Sequence, residues 1–61
     1  MEFNVKRIRT KLFMTQEELS KELGVHISTI KSWELNISVP SLRNQRKIVE
    51  LCKKNDIDWR E

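Results

Sequence analysis

Residues 15–34 read TQEELSKELGVHISTIKSWE, and this stretch predicts two short helices joined by a tight turn. Thr15 and Glu18 have the residue types and the spacing of a capping box, so a helix is expected to begin after Thr15. Gly24 can adopt the left-handed conformation that ends a helix at little steric cost. A second helix is therefore expected soon after Gly24.

The apolar residues of the same stretch indicate which faces of the two helices are buried. Leu19 and Leu23 lie four residues apart and share one helix face. Val25 is the apolar residue expected to fill the turn. Ile30 and Trp33 are expected to form the buried face of the second helix. Two helices joined by a short glycine turn are typical of a helix-turn-helix, whose second helix is shaped to lie in the DNA major groove.

The flanks of the motif predict one helix before it and another after it. Val5, Ile8 and Leu12 follow amphipathic helical spacing, with Asn4 as a candidate N-cap. The four expected helices span about residues 4–13, 16–23, 27–35 and from 40 or 41 to about 54. No alternation of apolar and polar residues runs long enough to predict a sheet.

The segments around the last predicted helix carry further apolar positions. Asn36 is expected in the left-handed conformation after the third helix, and Pro40 favours an extended stretch before it. Ile57 and Trp59 are expected to fold back as a last apolar anchor. The apolar positions of the fourth helix are Leu42, Ile48, Val49, Leu51 and Cys52.

Length and composition restrict the class of protein. The 61 residues predict one domain over residues 1–61, and 38% hydrophobic residues suffice for a small helical bundle. The formal net charge of +3 is compatible with a nucleic-acid partner. Neither a membrane span nor a signal peptide is predicted, so a cytoplasmic location is expected.

The single cysteine and single histidine restrict the chemistry. Cys52 and His26 cannot supply an internal disulfide or the usual three or four zinc ligands, so no metal is expected. Cys52 is expected to be a buried thiol in a reducing compartment. No glycine-rich phosphate loop, paired carboxylates or nucleophile with a base is present, so neither an enzyme nor a small-molecule ligand is expected.

The order of motifs resembles the phage-repressor family of helix-turn-helix domains, also called the Cro or XRE type. The resemblance rests on a first helix with an arginine, then TQEELSKELGV, STIKSWE, PSL and KIVEL, and it covers nearly the whole chain. It implies an all-α, compact four- to five-helix bundle of the phage-repressor type, with the helix-turn-helix at helices 2 and 3. It also implies double-stranded DNA as partner and no cofactor.

The resemblance implies roles for particular residues. Arg9 and Glu34 match a structural salt bridge between helices 1 and 3. The candidates for base contacts on the outward face of helix 3 are Ile27, Ser28, Lys31 and Ser32. The candidates for phosphate contacts are Gln16, His26, Asn36, Ser38, Ser41 and Arg43. Two alternatives stay open: Ile27 packs against the domain, and Gln16 is a solvent-facing helix residue.

Several positions depart from the family pattern. Phe13 stands where the family commonly has glycine, so either the turn closes without that freedom or helix 1 continues. His26 replaces Ser or Thr as helix cap and is expected to cap less well. Asn36 replaces another glycine. Gln45 and Arg46 replace a pair of leucines, which predicts a thinner core or a face used by a partner.

These residues support a sequence-specific DNA-binding transcriptional regulator, repressor- or Cro-like and related to phages or mobile elements. The alternative is a small modulator or antitoxin-like protein that acts mainly by binding another repressor or protein partner. An excisionase-like architectural role is a third option. Because the chain ends soon after Trp59, three possibilities stay open: a weak homodimer on DNA, pairing through a small apolar patch, or action as a single copy. Residues 57–59 are the candidate patch, and Trp59 in the core is the competing interpretation.

Overall fold

The computed structural model describes residues 3–60, and these residues form four α-helices and no strand. The helices are α1 (Val5–Lys11), α2 (Gln16–Leu23), α3 (Ile27–Glu34) and α4 (Leu42–Lys54). The predicted all-α fold with a helix-turn-helix at the second and third helices is confirmed, with four helices in the described part. Residues 1, 2 and 61 of the predicted domain lie outside the described residues.

The core draws one apolar stripe from each helix. Ile8, Ile30 and Ile48 are almost fully buried at its centre, and the Cys52 thiol is fully buried beside them. The remaining buried apolar residues are Val5, Leu12, Leu19, Leu23 and Trp33. The partly buried residues that pack against this core are Phe3, Met14, Val25, Leu51, Ile57 and Trp59. The helical spacing in the sequence therefore located most of the core.

All four helices end in the same backbone conformation. The residues with positive φ are Phe13 (57°), Gly24 (68°), Asn36 (59°) and Asp56 (57°). After α1, the Phe13 amide donates to the Thr10 carbonyl at 3.0 Å and the Met14 amide donates to the Arg9 carbonyl at 3.2 Å. The other three ends repeat this pair of hydrogen bonds, which satisfies carbonyls that a helix end leaves free.

The first helix is shorter than predicted. It ends at Lys11, with Leu12 as C-cap, rather than at residue 13. Phe13 settles the alternative left open by the missing glycine, because it adopts the left-handed conformation itself and the turn closes. Asn36 does the same after α3, as predicted.

Leu42, one of the apolar positions of the fourth helix, lies outside the core. Leu42 is 63% exposed, whereas Ile48 and Cys52 are buried. Leu42 is the first residue of α4 and lies seven residues before Val49, so these two share a face offset from the stripe of Ile48 and Cys52. Gln45 is half-buried and donates its amide to the Pro40 carbonyl at 3.0 Å.

Contacts outside the core close the fold. The rings of Phe3 and Trp59 stack with centroids 4.6 Å apart, and the Lys11 ammonium donates to the Asp58 carbonyl at 3.1 Å. Trp59 thus packs against the core, which favours the interpretation that competed with an interface patch. The Lys47 ammonium donates to the Leu23 carbonyl at 3.0 Å and joins α4 to the end of α2.

None of the helices in residues 3–60 combines the length and the apolar character that crossing a membrane requires.

Candidate nucleic-acid interface

The start of α2 is fixed by the predicted capping box. The Glu18 amide donates to the Thr15 hydroxyl at 3.1 Å, and the Thr15 amide donates to the Glu18 carboxylate at 2.8 Å. Both bonds involve groups that would otherwise lack a partner in the first turn. The amides of this first turn therefore have a defined direction, and together with the helix dipole they favour an anion.

Arg9, Gln16 and Glu34 form one polar cluster that joins three helices. Arg9 Nε lies 2.7 Å from Glu34 Oε2, and the second Arg9 contact to that carboxylate, from Nη2 to Oε1, is 3.1 Å. The Gln16 amide donates to Glu34 Oε1 at 3.1 Å, and Arg9 Nη1 donates to the Met14 carbonyl at 3.1 Å. The motif is thereby held in a fixed position on α1.

Contacts within the cluster favour the charged forms of Arg9 and Glu34. Burial would raise the pKa of Glu34, but the hydrogen bonds from Arg9 and Gln16 and the positive charge of Arg9 outweigh it and lower that pKa. The hydrogen bond with Glu34 raises the pKa of Arg9 above its ordinary value, although burial opposes the shift. The side chains are 18% and 6% exposed for Arg9 and Glu34, so the bidentate pair is partly shielded from water.

The start of α3 is capped by His26, whose imidazole serves as the cap even though histidine is a weaker cap than serine or threonine. His26 Nδ1 accepts from the Ser28 amide at 3.1 Å and lies 2.8 Å from the Ser28 hydroxyl. A ring nitrogen that accepts an amide hydrogen bond is unprotonated, so the proton of the neutral ring lies on Nε2. Because the His26 side chain is exposed, its Nε2–H can act as a donor.

The four candidate base-contact residues share one face of α3. Ser28 and Lys31 are exposed, and Ile27 and Ser32 are half-buried. Ile30 and Trp33, on the other side of the helix, are buried at 0% and 5% exposure. The helix therefore presents a hydroxyl and an ammonium outward, three residues apart.

The remaining phosphate candidates lie after α3. Asn36, Ser38 and Arg43 are exposed. Ser41 is the N-cap of α4, and its hydroxyl accepts from the Asn44 amide at 3.3 Å. A hydroxyl that accepts one hydrogen bond can still donate another, so Ser41 retains a donor.

A family model described as Helix-turn-helix matches residues 5–59. The chain belongs to this helix-turn-helix family, in its XRE-type form. Comparisons with curated proteins and with solved structures gave no match. Membership of the family makes the chain a helix-turn-helix DNA-binding regulator, a class of fold that is not typically enzymatic.

Two residues of this helix-turn-helix domain have contacts that the sequence did not reveal. Gln16 donates to Glu34, so its amide nitrogen is engaged inside the domain while it also stands at the start of α2. Lys47 donates to the last carbonyl of α2. Both contacts join residues 18 or more positions apart in sequence, and no local pattern signals them.

Proposed function

We propose that the chain is a sequence-specific transcriptional regulator of the repressor or Cro type that places α3 in the DNA major groove. The observation that carries this proposal is the outward face of α3, where Ser28 and Lys31 are exposed opposite buried Ile30 and Trp33. A helix presented in this way fits the groove and can reach base edges. A relation to phages or mobile elements, and action in the cytoplasm where DNA is present, complete the proposal.

Each residue on that face suits a different base contact. The Lys31 ammonium can donate to guanine O6 or N7, and the Ser28 hydroxyl can donate or accept at several base edges. Half-buried Ile27 is not among the residues packed against the core, and it offers an apolar surface to a thymine methyl. Ser32 is also half-buried, so its side chain reaches less far from α3, and we expect it to contact DNA only at the edge of the interface.

Phosphate contacts would fix the position of α3 in the groove. The capping box does not use the Gln16 and Glu17 amides at the start of α2, and amides at a helix N-terminus suit an anion. His26 would donate from Nε2, and Arg43 would add a positive charge. Asn36, Ser38 and Ser41 are polar residues on the same stretch of chain that follows α3. Such contacts specify position rather than sequence.

The test begins with a duplex that the wild-type chain selects from a random-sequence pool. Affinity is then measured by fluorescence anisotropy for this duplex and for a scrambled one, at several salt concentrations. Loss of one base contact costs about 1–3 kcal/mol, so Lys31→Ala should weaken binding to the selected duplex by roughly 5- to 150-fold. Binding to the scrambled duplex should weaken much less.

Lys54→Ala is the matched control, since it removes the same charge from an exposed position outside α3, at the last residue of α4. We expect it to weaken both duplexes slightly and equally. Ser28→Ala should reduce discrimination between the duplexes with little change in salt dependence. Equal weak binding of the wild type to both duplexes at every salt concentration would refute the proposed regulatory function.

A second candidate function has one observation in its favour. Residues 35–42, directly after α3, carry no lysine or arginine and expose four large apolar side chains. This surface suits a small modulator or antitoxin-like protein that acts mainly by binding another repressor or protein. Under this alternative the chain would bind a partner protein tightly and discriminate poorly between DNA sequences. The same duplex titrations would reveal the poor discrimination.

A further inference from the structure

The start of α3 differs from the other three helix starts in the atom that caps it. Asn4, Thr15 and Ser41 cap α1, α2 and α4 with side-chain oxygens, each of which accepts from the amide three residues later. His26 caps α3 with a ring nitrogen, which accepts from the Ser28 amide two residues later. Histidine changes its charge between about pH 5 and 8, whereas amide and hydroxyl oxygens do not. The cap of α3 is therefore the one helix cap in residues 3–60 that responds to pH in this range.

Two donors of Ser28 lie close to the same ring nitrogen. His26 Nδ1 is 3.1 Å from the Ser28 amide nitrogen and 2.8 Å from the Ser28 hydroxyl oxygen. In the neutral ring this nitrogen carries a lone pair and no proton, so the hydroxyl can approach it closely only as a donor. The hydroxyl hydrogen is then directed at the ring, and the oxygen keeps its lone pairs for a partner outside the domain. With neutral His26, Ser28 is an acceptor.

Protonation of the ring reverses this hydrogen bond. A charged imidazole carries a proton on both nitrogens and accepts no hydrogen bond. His26 Nδ1–H then donates to the Ser28 oxygen, and the hydroxyl hydrogen is released toward a partner outside the domain. The Ser28 amide loses its acceptor, but the first turn stays anchored because the Thr29 amide donates to the His26 carbonyl at 2.9 Å. With charged His26, Ser28 is a donor.

The charge of His26 is not fixed by a partner within residues 3–60. The ring is exposed, and no carboxylate in the described chain forms an ion pair with it. The nearest titratable residues along the chain are Glu22 on α2 and Lys31 on α3, and neither hydrogen-bonds to the ring. From α4, the Lys47 ammonium is held at the Leu23 carbonyl at 3.0 Å. The charge of the ring therefore follows the surrounding pH and any anion that binds beside it.

We propose that the protonation state of His26 sets the hydrogen-bonding direction of Ser28 and thereby selects the base that α3 reads at this position. Neutral His26 leaves Ser28 as an acceptor, which suits the amino groups of adenine and cytosine in the major groove. Charged His26 makes Ser28 a donor, which suits the O6 and N7 acceptors of guanine. His26 is a positioning residue in this scheme, since it acts on the base through Ser28. This role of His26 rests on the proposed function, because it requires α3 in the major groove.

A DNA phosphate beside His26 would couple the phosphate contact to the base contact. The negative charge of a phosphate favours the charged imidazole. Nε2–H then donates to the phosphate, while Nδ1–H donates to Ser28. Where the free ring is neutral, the complex with guanine thus takes up one proton. Affinity for guanine at this position should therefore rise as pH falls from about 8 to about 5.5.

The first test follows His26 in the free protein by NMR of its ring nitrogens. At about pH 8 the unprotonated nitrogen should be Nδ1, and on acidification the Ser28 amide shift should change with the same midpoint as the ring. The amides of Arg7 and Asn44, which are capped by oxygens, should not follow the ring. A proton on Nδ1 at the higher pH would overturn the proposal, because the hydroxyl would then face a donor in both charge states.

The second test measures base preference on the duplex that the wild type selects. The base pair read by Ser28 is identified as the one at which Ser28→Ala loses discrimination. All four base pairs are placed there, and affinity is measured by fluorescence anisotropy at about pH 8 and about pH 5.5 at constant ionic strength. The affinity for guanine relative to adenine should rise by roughly 3- to 10-fold at the lower pH, the value of about one hydrogen bond. Preferences at the other base pairs should stay the same.

His26→Asn is the matched variant, because asparagine caps a helix well through an oxygen that does not titrate. Circular dichroism checks that the variant folds. Its Ser28 hydroxyl should remain an acceptor, so the relative affinity for guanine and adenine should be equal at the two pH values. A pH-dependent ratio that persists in this variant would overturn the proposal. A wild type with the same base preference at both pH values would also overturn it.

Two outcomes distinguish the role of His26 from the proposed function. Sequence-specific binding with a base preference independent of pH would remove the role of His26 and leave the regulator. Failure to discriminate any duplex at either pH would remove the regulator and the reading of bases by Ser28. In that case the NMR titration would still report whether His26 and Ser28 are coupled.

Discussion

Phe13 is a large aromatic residue in a backbone conformation that suits glycine. Its φ is 57° and its side chain is 94% exposed, so the fold gains little burial from it. The left-handed conformation costs an L-residue roughly 1–2 kcal/mol. The turn between α1 and α2 therefore forms in spite of Phe13, and the helix-end hydrogen bonds supply the compensation.

Phe13→Gly should raise the free energy of unfolding by about 0.5–1 kcal/mol, because relief of strain exceeds the added freedom of glycine in the unfolded chain. Urea denaturation followed by far-UV circular dichroism measures the change. Asn36→Gly is the control, with a smaller gain, since asparagine tolerates the left-handed region better. An unchanged or lower stability of the Phe13 variant would contradict the strain.

Glu34 makes stability depend on pH. Its pKa is lowered in the folded state below the ordinary value of 4.5, so the unfolded chain binds more protons as acid is added. The stabilisation is complete above that value and disappears as pH falls through the folded pKa. The wild type should therefore lose stability more steeply than Glu34→Gln between about pH 5 and 3.

The same variant should be less stable at neutral pH by about 2 kcal/mol, because Arg9 loses a charged partner in a partly shielded site. Denaturation at a series of pH values measures both effects. Glu50→Gln makes the same chemical change at an exposed position on α4 and should leave the pH profile nearly intact. Parallel profiles for the wild type and Glu34→Gln would argue against the pair as the cause.

At the scale of the helices, the start of α2 rests on the Thr15 and Glu18 capping box. Thr15→Ala removes the hydroxyl that accepts from the Glu18 amide and should cost about 1 kcal/mol of stability. Thr10→Ala deletes a hydroxyl that donates to the Lys6 carbonyl within α1, and it should be nearly neutral. Thermal unfolding of the two variants side by side tests this; equal losses would count against the cap.

The elements show what a sequence can reveal and what it cannot. The caps at Thr15 and Gly24 were predictable because they depend on residues within one turn. The exposure of Leu42 was not, because an apolar residue at the first position of a helix can face either way. The hydrogen bond from Gln16 to Glu34 depends on how α2 and α3 pack, so it became visible only in the folded chain.

For the whole molecule, the stacking of Phe3 on Trp59 brings the two ends of the described chain together. Trp59→Ala should lower stability by about 2 kcal/mol, less than the ~3–5 kcal/mol of a fully buried tryptophan, because the ring is half-exposed. Arg60→Ala removes the guanidinium 5.5 Å from the ring centroid together with its exposed ion pair to Asp58 at 3.5 Å, and it should cost well under 1 kcal/mol. Chemical denaturation distinguishes the two; equal costs would argue against the stacking.

The fully buried Cys52 allows opening of the fold to be measured by the rate at which its thiol is alkylated. Burial raises the pKa of this thiol and shields its sulfur from reagents, so alkylation requires α4 to leave the core. The alkylation rate then follows the population of open molecules when reclosing is fast, and the opening rate itself when the reagent is faster. Each stability change discussed above should appear as a change in alkylation half-life, measurable by mass spectrometry without denaturant.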